Sequence, residues 1–357
     1  MKIAQVCPRY YPYIGGVEYV VKSIAERLAK LGHEVIVLAG EPGANQPRDE
    51  FINGVKVIRW PTWSPGGAYH FPRSRSELGQ RLLEIIKNAD VVHLHSIHSV
   101  LTAYSLRVVK NRNARIVVTP YYHGTGHTSV RRFLWIFWRK YVKGSLKGCT
   151  IHTVSKLEAK LVERDFGAEA IPIENGVEEW IRDLKWEPRG YVMYSGRIER
   201  YKNVDLLARI VKILNKKYGL DLKFKVFGRG PYRGKLEEFL KNLGIPYEIE
   251  DFKPFKEYVK TLSHATLFGL LSEKESYPQS VNEANAIGVP VVVTKPWGLN
   301  FEGRNRTLII DLRQDLNTLA ENIYEFLRRA LREERSYVPT WIEVTREYME
   351  KLYSGSG

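Results

Sequence analysis

MKIAQVCPRYYPYIGGVEYVVKSIAERLAKLGHEVIVLAG, residues 1–40, carries the pattern that decides the fold. Lys2–Cys7 is a short apolar run of strand length, Val17–Leu31 repeats apolar residues at helical spacing, and Val35–Ala39 is strand-like again. That change of period within one stretch predicts a strand–helix–strand unit and a parallel sheet. Gly15 and Gly16 stand between the first strand and the helix. Glycine there lets the backbone approach a ligand, and the helix start favours an anion. A simple tight turn explains the pair as well, and the full G-x-G-x-x-G dinucleotide fingerprint is missing.

Outward from this stretch the alternation repeats. Strands are predicted at Val55–Arg59, Val91–His95, Ile116–Thr119 and His152–Val154. A second series runs through strand Tyr191–Gly196, helix Val204–Tyr218, strand Lys223–Gly228, helix Arg233–Leu243, strand Leu267–Leu271, helix Ser280–Ile287 and strand Val289–Thr294. A chain of 357 residues with 44% hydrophobic composition exceeds what one core usually organises, so two domains are expected. The expected division is an N-terminal Rossmann-like domain over 1–178, an aperiodic hinge over 179–190, a second Rossmann-like domain over 191–335, and a terminal helix within 336–357 able to pack back on the first domain.

Cys7 and Cys149 cannot make a disulfide framework, and no Cys/His spacing marks a zinc site. The N-terminal apolar run is too short for a signal peptide or a spanning helix, which predicts a cytoplasmic protein. Charged residues are abundant while Cys and Met are scarce, which leans towards a thermophilic source. The net charge is +15, with 25 basic and 15 acidic residues through Glu178 against 30 and 25 beyond it. Most of the excess is therefore N-terminal, and by itself it attracts nucleic acid, anionic lipid and phosphorylated substrates alike.

Four clusters carry candidate chemistry. Arg197 closes the strand-end sequence Tyr194-Ser-Gly-Arg197, and Lys202 follows just before a helix; a guanidinium fork and a point charge there suit a pyrophosphate. Glu275 and Glu283 bracket Ser-Tyr-Pro-Gln-Ser-Val-Asn at a strand-to-helix junction, where carboxylates can accept hydrogen bonds from sugar or ribose hydroxyls. A capping residue and a helix-surface glutamate would give the same spacing. His93, His95 and His98 end one strand, and His123 and His127 flank Gly124-Thr125-Gly126 after another. Substrate or backbone hydrogen bonding is the favoured reading of these histidines over metal ligation, and no Asp-x-Asp occurs, so neither a metal nor a cofactor is expected. Arg131–Lys147 interleaves aromatics with basic residues and contains no acid; it reads equally as an interfacial anchor on an anionic membrane or as a helix packed on its sheet with a solvated cationic face.

Together these residues resemble glycosyltransferase family 4 along nearly the whole chain. The matching segments are Gly15-Gly16-Val17-Glu18, Gly32-His33-Glu34-Val35, Asp90-Val-Val-His-Leu-His95, the His123 loop, Val154-Ser155, Glu174-Asn-Gly-Val177, Ser195-Gly-Arg197 with Lys202, Gly228-Arg-Gly-Pro231, Glu275 to Glu283 with Ala284, and Gly288-Val-Pro-Val291. The resemblance implies the GT-B fold, with two Rossmann-like doubly wound parallel-sheet domains facing across a cleft. It also implies metal-independent transfer of a hexose-type sugar from a nucleotide-diphosphate sugar, with retained anomeric configuration. On that basis Arg197, Lys202, Gly15 and Gly16 hold the donor diphosphate. Tyr277, Gln279, Ser280 and Glu283 hold donor sugar and ribose, and His123 and Glu275 stand at the reacting centre. The acceptor is left open among lipid-linked, sugar and sugar-phosphate compounds. Pro278, Phe252-Lys-Pro-Phe255 and the segment after Gly298 depart from the family pattern, and the donor's base and sugar are not specified. Competing readings are a nucleotide-sugar epimerase or a glycogen-type synthase on a related fold, and a non-catalytic binder of anionic membrane or nucleic acid, although no nucleic-acid-binding signature accompanies the charge.

Overall fold

The computed structural model describes residues 1–13, 15–67, 69–110, 113–124 and 129–354, without the side chains of 129–134. The chain forms two compact units, Met1–Asn175 with Trp341–Gly357, and Gly176–Thr340.

The first unit contains strands β1 (Lys2–Cys7), β2 (Glu34–Pro42), β3 (Arg48–Ile52), β4 (Val55–Trp63), β5 (Phe71–Pro72), β6 (Val91–His95), β7 (Arg115–Thr119), β8 (Thr150–Thr153) and β9 (Ile171–Pro172). They are ordered β3-β4-β2-β1-β6-β7-β8-β9, with β5 also paired to β4. All pairings are parallel except those of β3 and β5 with β4. The helices of this unit are α1 (Gly16–Lys30), α2 (Arg75–Ile86), α3 (Val100–Val109), α4 (Ser129–Leu146) and α5 (Lys156–Phe166). β4 runs four residues beyond the expected end at Arg59, because its pairing with β2 continues through Pro42 and Thr62 although Pro61 interrupts the apolar run.

Alternate residues of the central strands leave the sheet on opposite faces. Ala4, Val6, Ile36 and Leu38 join one core with residues of α2, α3, α4 and α5. Ile3, Cys7, Val35, Val37 and Ala39 join the other with α1 and the C-terminal segment, α11 (Trp341–Tyr348) and Met349–Tyr353. Trp341, Tyr348 and Leu352 are fully buried on that second face.

A buried polar chain ties this segment to the sheet. His152 Nε2 lies 3.0 Å from the carbonyl of Ile173, which can only accept, so that nitrogen carries the proton and Nδ1 is the acceptor. Thr119 Oγ1 therefore donates to His152 Nδ1 (2.8 Å) and accepts from His93 Nε2 (2.7 Å), and the Tyr353 hydroxyl donates to His93 Nδ1 (2.7 Å). Burial pushes the His152 pKa down to about 4 and holds His93 well below the ordinary range, so both rings stay neutral.

The second unit is a parallel sheet, β12-β11-β10-β13-β14-β15, of β10 (Tyr191–Ser195), β11 (Lys223–Phe227), β12 (Tyr247–Glu250), β13 (Leu267–Leu270), β14 (Val291–Thr294) and β15 (Thr307–Ile310). α6 (Val204–Tyr218), α7 (Arg233–Leu243), α8 (Phe255–Ser263), α9 (Gln279–Ile287) and α10 (Leu316–Ala330) complete it. Residues 179–190 belong to this unit: Trp186 Nε1 donates to the Ala265 carbonyl (2.7 Å), and the amides of Glu187 and Arg189 bond to Ser263 and His264. Among the described residues no helix is long and apolar enough to cross a membrane.

Candidate active site

Parallel strands end together, and each unit gathers its candidate residues in the loops at the carboxyl edge of its sheet. In the first unit the loop after β1 leads to Gly15, an extended residue at the start of α1, and to Gly16, the helix's first residue. A Cβ on Gly16 would meet nothing within 4 Å, whereas one on Gly15 would meet the Glu18 carboxylate at 2.3 Å. Glu18 is buried and bonded by Arg9 Nε at 2.9 Å, so the helix start already holds a neutralised carboxylate beside its amides.

The loop is fastened by a residue that the sequence reading did not single out. Arg59, fully buried in β4, donates from Nη1 to the Tyr10 carbonyl (3.2 Å), from Nη2 to the Tyr11 carbonyl, and from Nε to Glu50 (2.6 Å). Glu41 lies 3.6 Å from Arg59 Nη1 and also accepts from the Tyr13 hydroxyl. Gly40 is required by close approach: a Cβ there would stand 2.4 Å from the Pro8 carbonyl oxygen. The clue in the sequence was an arginine inside the strand run VKVIRW.

His123 follows β7 in the same unit. Its ring lies edge-on to His98 at 5.0 Å, and His98 stacks on Trp135 at 4.6 Å. Glu158, at the start of α5, reaches across to accept the Tyr122 amide (2.6 Å) and the Val154 amide (3.0 Å). The Tyr122 hydroxyl in turn donates to Asp165 (2.5 Å). Burial outweighs the two amides and pushes the Glu158 carboxyl up to about 7. Thr125, Gly126 and His127 lie outside the described residues, as do the side chains of Arg131, Arg132 and Phe133.

The rest of the basic aromatic helix α4 divides in two. Trp138 Nε1 donates to the Ile97 carbonyl (2.9 Å), and Arg139 pairs with Asp165 at 3.3 Å. Ile136, Phe137, Lys140, Lys143 and Lys147 are exposed, Phe137 by 59%.

In the second unit the loops after β10 and β11 meet backbone against backbone: a Cβ on Gly228 would stand 1.9 Å from the Gly196 oxygen. Arg197 is 72% exposed and paired with Glu199 at 2.7 Å. Lys202 is buried instead, and its Nζ donates to Glu275 Oε1, which also accepts from Ser272 Oγ (2.7 Å). β10 and β13 are neighbours, so the lysine loop and the acidic loop are brought side by side. α9 starts at Gln279, whose side-chain amide donates to the Gly176 carbonyl (2.5 Å). Ser280 is half-buried in its first turn. Glu283 is buried farther along, bonded to Tyr258 with Glu178 nearby; burial raises its carboxyl to about 8.

Tyr277 joins a network centred on Arg304, which was also unforeseen. Arg304 donates to the Tyr277 hydroxyl (2.9 Å), to Asn282 Oδ1 (2.7 Å) and to Asn285 Oδ1 (3.0 Å). Asn300 donates to the Ser276 carbonyl (3.1 Å) and Trp297 to the Ser272 carbonyl (2.7 Å). The segment after Gly298, which departs from the family pattern, thus clasps the acidic loop from one side.

Comparison with known proteins places the chain. Residues 14–179 match Glycosyltransferase Family 4, and residues 176–335 match Glycosyl transferases group 1. The chain is 26% identical over 337 residues to an uncharacterized glycosyltransferase of Methanocaldococcus jannaschii, covering 84% of this chain and 82% of that protein. It is 25% identical over 327 residues to a GDP-mannose-dependent alpha-mannosyltransferase of Mycolicibacterium smegmatis, covering 84% and 80%. A glycosyltransferase structure from Rickettsia africae superposes with a TM-score of 0.71 at 17% identity, over 99% of this chain and 97% of that one. The protein is a glycosyltransferase of family 4, and its two parallel-sheet domains have the GT-B fold.

Proposed function

We propose that the protein moves a hexose-type sugar from a nucleoside-diphosphate sugar to an acceptor hydroxyl with retention at the anomeric carbon and without a metal ion. The observation that carries this reading is the juxtaposition of Lys202 and Glu275 at the ends of adjacent parallel strands. A nucleotide-sugar presents an anionic diphosphate next to a hydroxyl-rich ring, and a cation next to a carboxylate matches that order of groups. In transfer, the bond from the anomeric carbon to the diphosphate oxygen breaks with its electron pair on the leaving group. The acceptor oxygen forms the new bond, and its proton passes to the departing diphosphate oxygen.

Arg197 and Lys202 act on the growing negative charge of the diphosphate, and Gly15 and Gly16 offer backbone to it. Lys202 must then be shared between Glu275 and phosphate. Glu275, Tyr277, Gln279 and Ser280 position the sugar, Glu283 meets the ribose, and His123 stands beside the reacting centre. Support for retention comes from the mycobacterial relative, whose name pairs an alpha linkage with GDP-mannose as donor. Thermal-shift screening against UDP-, GDP- and ADP-sugars identifies the donor, and NMR of the product reads its anomeric configuration. An inverted product, or turnover abolished by EDTA and restored by manganese, would overturn the reading.

The exposed Phe137 and Ile136 beside Lys140 and Lys143 favour an anionic membrane as the surface on which a lipid-linked acceptor is met. Cosedimentation with anionic liposomes at low salt, lost on Lys140→Glu with Lys143→Glu, is the expected result. Equal recovery of both proteins in the pellet would exclude this face.

A further inference from the structure

An aromatic pair stands at the carboxyl edge of the first unit's sheet and is used neither by its cores nor by the residues assigned above. β1 ends where Cys7 pairs with Ala39, but β2 and β4 stay paired from Gly40 and Trp60 through Pro42 and Thr62. Trp63 therefore projects past the end of the central strands, 59% exposed. Phe71 of β5 is its direct antiparallel partner, with ring centroids 5.4 Å apart and planes tilted by 38°. Large rings left in water forgo the free energy of burial, and an exposed aromatic cluster marks a surface that a ligand covers.

The backbone beneath the pair is held firmly. Tyr69 and His70 sit at φ 66° and 44°, a left-handed region that is unfavourable for a non-glycine residue. Their carbonyls accept the Val100 amide (2.6 Å) and the Leu101 amide (3.0 Å) at the start of α3. Ser64 Oγ and His70 Nδ1 are 2.9 Å apart, and the Arg73 amide closes on the Pro61 carbonyl (3.0 Å). Such local strain persists where surrounding bonds over-determine it, and it gathers at ligand clamps.

The polar neighbours brace the strand ends behind the rings. Ser64 and His70 bond to one another on the buried side of the strand pair, opposite the rings, and burial, then the charge of nearby Arg9, lower the His70 pKa to about 4, so its ring is neutral at physiological pH. Arg9 belongs to the loop that runs on to Gly15 and Gly16. A pyranose has an apolar C–H face, which suits the negative face of an indole, and a rim of hydroxyls that can stay hydrated.

We propose that Trp63 and Phe71 form the platform for a glycosyl ring of the acceptor, with its C–H face on the aromatic rings and its hydroxyl edge in water. This rests on the reading of the protein as a transferase to a hydroxyl-bearing acceptor, and it narrows that acceptor to a glycoside, free or lipid-linked.

The test is saturation-transfer NMR of the full-length protein with the methyl glycosides of glucose, mannose, galactose and N-acetylglucosamine. Ring C–H protons of at least one glycoside should receive saturation from the wild type. Trp63→Ala should weaken that ligand about tenfold, equivalent to about 1.4 kcal/mol. Trp63→Phe should retain a measurable part of the binding, and Phe71→Ala should fall between the two. Thermal unfolding of each variant confirms folding, and Trp63→Phe keeps the comparison open if Trp63→Ala does not fold.

No saturation of any glycoside by the wild type, or equal saturation by wild type and folded Trp63→Ala, would overturn the proposal. So would a wild-type dimer that Trp63→Ala makes monomeric without any glycoside signal, since a second copy would then cover the rings. Release of nucleotide from a donor panel by the wild type alone tests the donor reading separately, so failure of one is distinguishable from failure of the other.

Discussion

The two units solve the same problem with different materials. In the first, two charged side chains at the sheet edge hold backbone: Arg59, as well as its ion-pair partners, grips two carbonyls of the loop before Gly15, and Glu158 grips the Tyr122 amide before His123. In the second, charged side chains at the edge hold each other, as Lys202 and Glu275 do, while a separate clasp built on Arg304 fixes the loop that carries them. Groups that hold backbone shape a site without facing the ligand. Groups that pair with one another can exchange partners when a ligand arrives. The first unit is thus expected to respond to mutation mainly in stability and the second mainly in turnover.

The largest expected effect tests the first half of that contrast. Arg59→Ala removes a buried cation and strands two carbonyls and Glu50, which should destabilise the protein by about 3 kcal/mol, the lower end of the range for a broken buried pair because Glu50 reaches solvent. Denaturant unfolding measures it, and an unchanged midpoint would mean that the loop is held by something else. Lys202→Ala tests the other half: turnover should drop about 100-fold with a much smaller change in donor affinity, as for the loss of one donor to a developing oxyanion. Steady-state kinetics with the identified donor separates kcat from KM, and a rise in KM alone would make Lys202 a ground-state binder. Arg197→Ala should follow the same direction with a smaller loss, since its guanidinium is exposed.

Glu283→Ala should weaken nucleotide binding by about 0.5–1.5 kcal/mol, the scale of a neutral hydrogen bond, because burial keeps its carboxyl protonated at neutral pH. Calorimetry with the nucleotide reads this directly, and identical affinities would remove Glu283 from the ribose site.

The last effect is in pH dependence. Glu158 has its folded pKa raised from 4.5 to about 7 by burial, so the folded state binds more protons than the unfolded state between those values. Its contribution to stability is full below about pH 4.5 and is lost as pH rises through about 7, by no more than about 1.4 kcal/mol per pH unit. Glu158→Gln should flatten the profile in that window. A wild-type slope that survives the substitution would assign it to other groups.

Much of this was legible in the chain. The period changes around Lys2–Cys7, Val17–Leu31 and Val35–Ala39 were sufficient for a parallel sheet, and they recur as β1, α1 and β2. The positions of Gly15, Arg197, Lys202 and Glu275 at strand ends also followed from order along the sequence, because strand direction is set by the alternation itself. The short edge strands β3 and β5 escaped notice, since two to five residues next to glycine and proline carry no clear period.

Sequence alone determined that two α/β series follow one another, and roughly where each loop that carries chemistry begins. Tertiary structure decided what each charged side chain does there. Local pattern marks Arg59 only as an arginine within a strand and does not say that it bolts a loop to the core while Arg197 stays exposed, and nothing near residue 353 announces that its tyrosine closes a hydrogen-bonded chain with His93, 260 residues earlier. Periodicity is written within a dozen neighbouring residues because it reflects which side of one element is buried. The partner of a buried polar group depends on which distant strands and helices are brought together, and burial then leaves it little choice but to be satisfied by whatever it meets.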